Sequence, residues 1–160
     1  ADNFARIEKL LEQGYDVLSF DFRGQGENKM RFAVTSIDDP RLAAIPLEEQ
    51  YYSQISGVMA NYVYNTLLTG RPYFLQMIED VEIVARFASD KLGFGQLAVS
   101  GCGKAPTVAA AAAGSICDLE LIKAPDAELV DWSAIVENKQ ETWPIEFLLP
   151  DGAYVDLNCK

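Results

Sequence analysis

The sequence predicts an α/β protein, a three-layer sandwich with a parallel sheet. Three observations lead there. Short apolar runs alternate with helical patterns, which is the order of βαβ units. Glycine-rich turns follow two of the runs, at 23–26 and at 101–103. The chain has 160 residues, 49% of them hydrophobic, enough for one core and one domain.

The elements follow in order. Phe4, Ile7, Leu10 and Leu11 stand at helical spacing over 3–13, with Asp2 or Asn3 as cap and Gly14 as stop. Residues 15–21 read as a buried strand. Helix, glycine, strand is the second half of a βαβ unit, whose first strand would lie before Ala1. An unfilled gap beside residues 15–21 would leave backbone groups unpaired on inner edges, so either the rest of the protein lies elsewhere or the strands close up into a smaller Rossmann-like sheet. Residues 51–69 are aromatic-rich and mildly helical. The pattern strengthens over 72–91, where Phe74, Ile78, Val81, Ile83, Val84 and Phe87 form an apolar face and Pro72 suits the first turn. Residues 94–100 read as a strand, 104–113 as an alanine-rich helix ended by Gly114, and 116–122 as a third strand parallel to 94–100. Residues 1–160 thus form a single incomplete domain. Helix and strand occupy 3–22, and a loop or lid region 23–70. Helix, strand, elbow-like turn, helix and strand fill 71–122, and an irregular tail 123–160.

Charge narrows the function classes. The net charge is −11, from 24 acidic and 13 basic residues. Nucleic-acid binding relies on Lys and Arg against phosphates, and docking on anionic lipid needs the same charges, so neither partner is expected. No apolar run is long enough to span a bilayer. No charged-then-apolar leader is visible, and the chain starts at Ala1 rather than Met, which reads as a trimmed segment; the compartment stays open. Cys102, Cys117 and Cys159 match no zinc spacing and read as free thiols. The sequence has no histidine. A Ser-His-Asp or Cys-His site therefore cannot be completed within it.

Two strand ends carry the motifs. Asp21, Arg23, Gly24 and Gly26 end the first strand as Asp-x-Arg-Gly-x-Gly. The glycines suit a turn, and Arg23 can bond loop carbonyls or a carboxylate. Lys29 stands where a dinucleotide fingerprint needs its third glycine. At the second strand end, Ser100-Gly101-Cys102-Gly103-Lys104 follows the small-x-nucleophile-x-small order of a nucleophile elbow. Cys102 takes the nucleophile position. Lys104 takes the place of the second small residue, where its bulk should crowd the turn. A phosphate loop fails at Ala98 and Ala105, so no cofactor and no metal are expected. Adjacent acid pairs such as Asp38-Asp39 and Glu79-Asp80 point apart and read as solvated surface. Tyr51, Tyr52, Tyr62, Tyr64 and Tyr73 read as packing or lid residues, with a sugar-binding lid as the alternative.

These motifs resemble the α/β-hydrolase superfamily. Gly14-Tyr15-Asp16-Val17-Leu18 with Asp21, Arg23, Gly24 and Gly26 is similar to its fourth strand. Arg71-Pro72 before a long helix, Glu79-Asp80-Val81, Ala85-Arg86-Phe87 and Gly101-x-Gly103-Lys104-Ala105 resemble a bacterial branch of acetyl-xylan-esterase-like hydrolases. The tail, with Trp132, Pro150 and Tyr154-Val155-Asp156-Leu157, is similar to the region before later strands. The resemblance implies an internal segment of a carboxylic-ester hydrolase acting on an acylated carbohydrate. Cys102 would be the nucleophile and the Gly103 N–H an oxyanion donor. The acid, the histidine and the other oxyanion donor would come from elsewhere, so the isolated chain is expected to be inactive. Its partners would be the remainder of its own fold or a second copy of itself. The alternatives are a catalytically silent scaffold or assembly domain and a small-ligand-binding module. Cys102 by itself also reads as a small buried core residue.

Overall fold

The computed structural model describes residues 3–29, 57–125, 127, 129–130 and 144–147. Among them are four helices and a two-stranded parallel sheet, so the mixed α/β class stands.

Helix α1 (Asn3–Glu12) ends where the sequence asks it to. Gly14 has φ +88°, Tyr15 N–H bonds the Leu10 carbonyl, and Gly14 N–H bonds the Leu11 carbonyl. That is a Schellman stop, and glycine takes its left-handed position without a Cβ penalty. Residues 15–22 then run without helix, turn or bend, but they join no ladder. The buried strand expected over 15–21 is corrected here. A strand needs an adjacent backbone, and a cavity separates this run from the sheet. Among the described residues the run neither closes up nor pairs.

Helix α2 (Val58–Leu68) buries Met59, Ala60 and Val63. Helix α3 (Tyr73–Leu92) begins after Pro72 and stops at Gly93, φ +80°. It buries Phe74, Met77, Ile78 and Val81, whose spacing of three and four residues makes one face. Ile83 and Phe87 were expected on that face and instead lie exposed, at 63% and 49%. They sit four residues apart on another side of the helix.

Strand β1 (Leu97–Val99) pairs in parallel with β2 (Leu119–Leu121), Leu97 opposite Leu119. Helix α4 (Ala105–Ser115) crosses between them, as expected of a parallel connection. Gly114 lies inside α4 rather than ending it; Ile116 N–H closes the helix on the Ala112 carbonyl. Alanines let α4 approach α3 and β2 closely. A 3₁₀ turn (Ile145–Phe147) docks on α2 and α3, and Phe147 meets Phe74 edge-on at 5.3 Å. The core is therefore α2, α3, α4, β2 and this turn, closed by Phe22. Trp132, Trp143, Cys159 and Tyr154 to Leu157 lie outside the described residues.

Candidate functional site

The site forms where two segments end side by side. The first is the straight run 15–22. Phe22 is buried in the core and anchors its end. The turn beyond it is held by its own side chains. Asp21 Oδ2 accepts the Glu27 N–H at 2.9 Å, and Asn28 Nδ2 donates to the Asp21 carbonyl at 2.5 Å. Gly26 has φ +47°, and a Cβ there would meet the Asp21 carboxylate at 2.0 Å. Gly24 has φ +72°, and a Cβ would stand 2.3 Å from the Tyr73 hydroxyl. The backbone angle favours glycine at both positions, while the neighbours in space are side-chain ends that can shift.

Arg23 reaches α3. Its Nε donates to Asp80 Oδ2 at 2.8 Å and its Nη2 to Asp80 Oδ1 at 2.5 Å, a bidentate fork. Its backbone N–H adds a third bond to Oδ2 at 3.0 Å, and Nη1 donates to Gln76 Oε1. The Asp80 hydrogen bond raises the guanidinium above its ordinary pKa, against a smaller opposing effect of burial. Raised in the fold, this contribution is present at neutral pH, where Asp80 is ionised, and on the alkaline side fades only in strong alkali. Of the two partners the sequence allowed, Arg23 takes the carboxylate. Its role is to tie the turn to α3.

The second segment is the turn between β1 and α4. Gly101 is buried, and a Cβ there would lie 2.3 Å from the Ala105 carbonyl carbon and 2.4 Å from Pro106 N. Gly103 has φ +60° with open space around it. Cys102 stands between them, and it is exposed. The buried-core reading of Cys102 is therefore corrected: the two glycines turn the chain outward at the end of β1, so the thiol leaves the core. Cys117 is also a free, exposed thiol.

Lys104 does not crowd the turn. Its side chain extends to Glu146, Nζ to Oε1 at 2.8 Å. Gln25 Nε2 also donates to Glu146 Oε1, at 3.3 Å. Glu146 is 1% exposed, and its Oε2 has no hydrogen-bond partner among the described residues. This carboxylate links the ends of both segments. Sequence reasoning missed it; the one available signal is a charge flanked by Ile145 and Phe147 in a short apolar stretch. Arg6 was missed as well. It donates from Nη1 to the Gly101 carbonyl at 2.6 Å and from Nη2 to Ser100 Oγ, which itself donates to the Ile122 carbonyl.

Between the two segments lies a cavity of about 390 Å³. Cys102, Gly103, Lys104 and Gln25 line its end, together with Asp21 and Gly26. The structure thus brings Asp21, Gly26, Cys102 and Gly103 to one cavity, while Arg23 and Gly24 line a separate, more open one of about 630 Å³. Tyr73 and Tyr62 line that second cavity, Tyr73 buried and Tyr62 exposed. Tyr51 and Tyr52 lie outside the described residues.

The arrangement supplies an accessible thiol, a backbone N–H after it, and an ammonium two residues on. Among the described residues, no group of three or more His, Cys, Asp or Glu side chains could hold a metal ion, and no helix is long and apolar enough to cross a membrane. Comparison of the chain with protein families, characterised proteins and solved structures finds no match.

Proposed function

We propose that this chain is a segment of a carboxylic-ester hydrolase of the acetyl-xylan-esterase type, on a partial α/β-hydrolase arrangement of three layers, and that these 160 residues alone are inactive. The observation that supports this best is Cys102, exposed in a glycine turn between a parallel strand and its crossover helix, at the end of a cavity. A nucleophile elbow needs that strand–turn–helix context. In the complete reaction, the thiolate would form a bond to the acyl carbon of an acylated carbohydrate. The Gly103 N–H would stabilise the oxyanion, and the sugar alkoxide would leave with a proton. Water would then release the acid and restore the thiol. The proton transfers need a base, and this sequence has no histidine to serve.

Hydrolysis of p-nitrophenyl acetate tests the inactivity. The purified chain is expected to turn over no faster than an inert protein of equal thiol content, since losing triad members costs orders of magnitude. Robust turnover that survives thiol blocking would overturn the proposal, because it would need a different site. Reading the natural open frame beyond Lys160 tests the parent activity. Continuation with an Asp and a His supports the esterase. A stop there supports a catalytically silent scaffold or assembly domain, the second reading, which the missing histidine favours.

A further inference from the structure

Arg6 stands apart from the arginines that tie this fold together. Arg23, Arg71 and Arg86 each pair with a carboxylate. Arg6 bonds neutral oxygens instead, the Gly101 carbonyl at 2.6 Å and Ser100 Oγ. Among the described residues it makes no ion pair. A guanidinium carries five N–H groups, so these bonds leave donors for a further acceptor. The side chain is partly buried and lines the cavity of about 390 Å³. A cation drawn partly out of water without a counter-ion is a ready partner for an anion.

The place of this charge follows from what it holds. The Gly101 carbonyl belongs to the peptide bond that enters Cys102, so the guanidinium touches the backbone of the exposed thiol's own turn. Ser100 Oγ in turn donates to the Ile122 carbonyl, which fixes the second oxygen that Arg6 grips. Other charges line the same cavity. The Lys104 ammonium is paired with Glu146. Asp21 accepts the Glu27 N–H and lies close to Gly26 in its own turn, and Asp16 stands further back on the same run. Cys117, the other exposed thiol described, has opposite surroundings: Asp118 follows it, Glu120 comes two residues later, and both are exposed.

We infer that Arg6 determines the specificity of the Cys102 site, by drawing a carboxylate-bearing ligand to that thiol. A guanidinium presents paired N–H groups that match the two oxygens of a carboxylate. The guanidinium, unpaired among the described residues, suits an anion of single charge. A phosphate of higher charge would meet more repulsion from Asp21, which lines the same end of the cavity. Ile7, Leu10, Val81 and Val108 give the carbon skeleton of the acid an apolar wall. The inference rests on the proposed function in one respect, that Cys102 is the reacting residue of the site. Under that reading the acylated carbohydrate carries an acid group as well as its ester.

Two alkylating reagents of nearly equal size test it. Iodoacetate carries a carboxylate and iodoacetamide does not. Both are applied to the folded 160-residue chain near neutral pH, and peptide mass spectrometry reads the rate at each cysteine. The ratio of the two rates at one thiol cancels its thiolate fraction and its exposure, so the charge of the reagent is what remains. The iodoacetate-to-iodoacetamide ratio is expected to be about fivefold higher at Cys102 than at Cys117. Raising NaCl to about 0.5 M should bring the two ratios together. Arg6→Gln should lower the ratio at Cys102 to that at Cys117, and Arg6→Lys, which keeps the charge, should retain most of the difference. A purely structural role for Arg6 would move both reagents together and leave the ratio in place. Equal ratios in the parent chain, a difference indifferent to salt, or one that survives Arg6→Gln overturns the inference. The salt series needs no variant, so it decides even where Arg6→Gln fails to fold. Failure here is distinct from failure of the proposed function, because p-nitrophenyl acetate reads turnover and these ratios read only attack by the thiol.

Discussion

Gly101 is the residue whose identity the structure constrains most tightly. Its neighbours in space are the backbone of Ala105 and Pro106, which cannot step aside as a flexible side chain would. Gly101→Ala is expected to destabilise the chain by about 2–4 kcal/mol, through backbone displacement at the head of α4. Urea unfolding followed by circular dichroism measures it, and a loss under about 0.5 kcal/mol would contradict the crowding. Lys104 and Glu146 make a second, asymmetric case. Glu146 is buried, whereas the Lys104 side chain keeps 37% of its exposure. Removing the lysine strands a carboxylate inside the protein, while neutralising the glutamate leaves an ammonium that can turn to water. Lys104→Ala should therefore cost about 2–4 kcal/mol and Glu146→Gln about half that or less. The reverse order would mean that the Lys104–Glu146 pair is not what holds the turn.

At the scale of elements, α3 carries two apolar stripes with different fates. Phe74 is fully buried against Phe147, and Phe87 on the other stripe is half exposed. Phe74→Ala is expected to cost about 3–5 kcal/mol, as aromatic truncations in a core do. Phe87→Ala should stay within about 0.5 kcal/mol of the parent chain, as surface substitutions do. Thermal denaturation of both variants separates them. A large loss for Phe87→Ala would show that this stripe is covered in solution. The run 15–22 presents the same contrast in the backbone. Its composition is that of a strand, and its end is anchored by Phe22 and the Arg23–Asp80 fork. An anchored end fixes where the run stops, but a ladder also needs a neighbour at about 4.8 Å.

For the whole molecule, charge is the largest collective term. A net charge of −11 repels itself in the compact state. The ion pairs Arg71–Glu79 and Arg86–Glu82 lie at the surface, where such pairs contribute little. Salt should therefore stabilise more than it weakens. Raising NaCl from about 10 mM to about 0.3 M shortens the screening length severalfold and is expected to raise Tm by about 2–4 °C. A Tm that falls with salt would show that attractive pairs outweigh the net repulsion.

Periodicity and turn chemistry were enough to read α1, α3, α4 and the parallel pairing of β1 with β2. These depend on local spacing, on Gly14 and Gly93 as stops, and on the single handed way a strand–helix–strand connection closes. The glycine turns at 24–26 and 101–103 were legible for the same reason, since backbone angles there exclude most other residues. The absence of histidine was legible from composition alone and bounds the chemistry of these residues. Tertiary structure decided the rest. Whether Cys102 is core or surface depends on which way two glycines turn the chain, and α4's small residues did not reveal that. Which apolar stripe of α3 is buried depends on where α2, α4 and the turn at 145–147 pack. Glu146 meets Lys104 and Gln25 across separations of 42 and 121 residues, beyond any local pattern. An apolar, β-prone run such as 15–22 reads as a strand in any sequence, but hydrogen bonds between strands are made with a partner, and only the fold shows whether the partner is there.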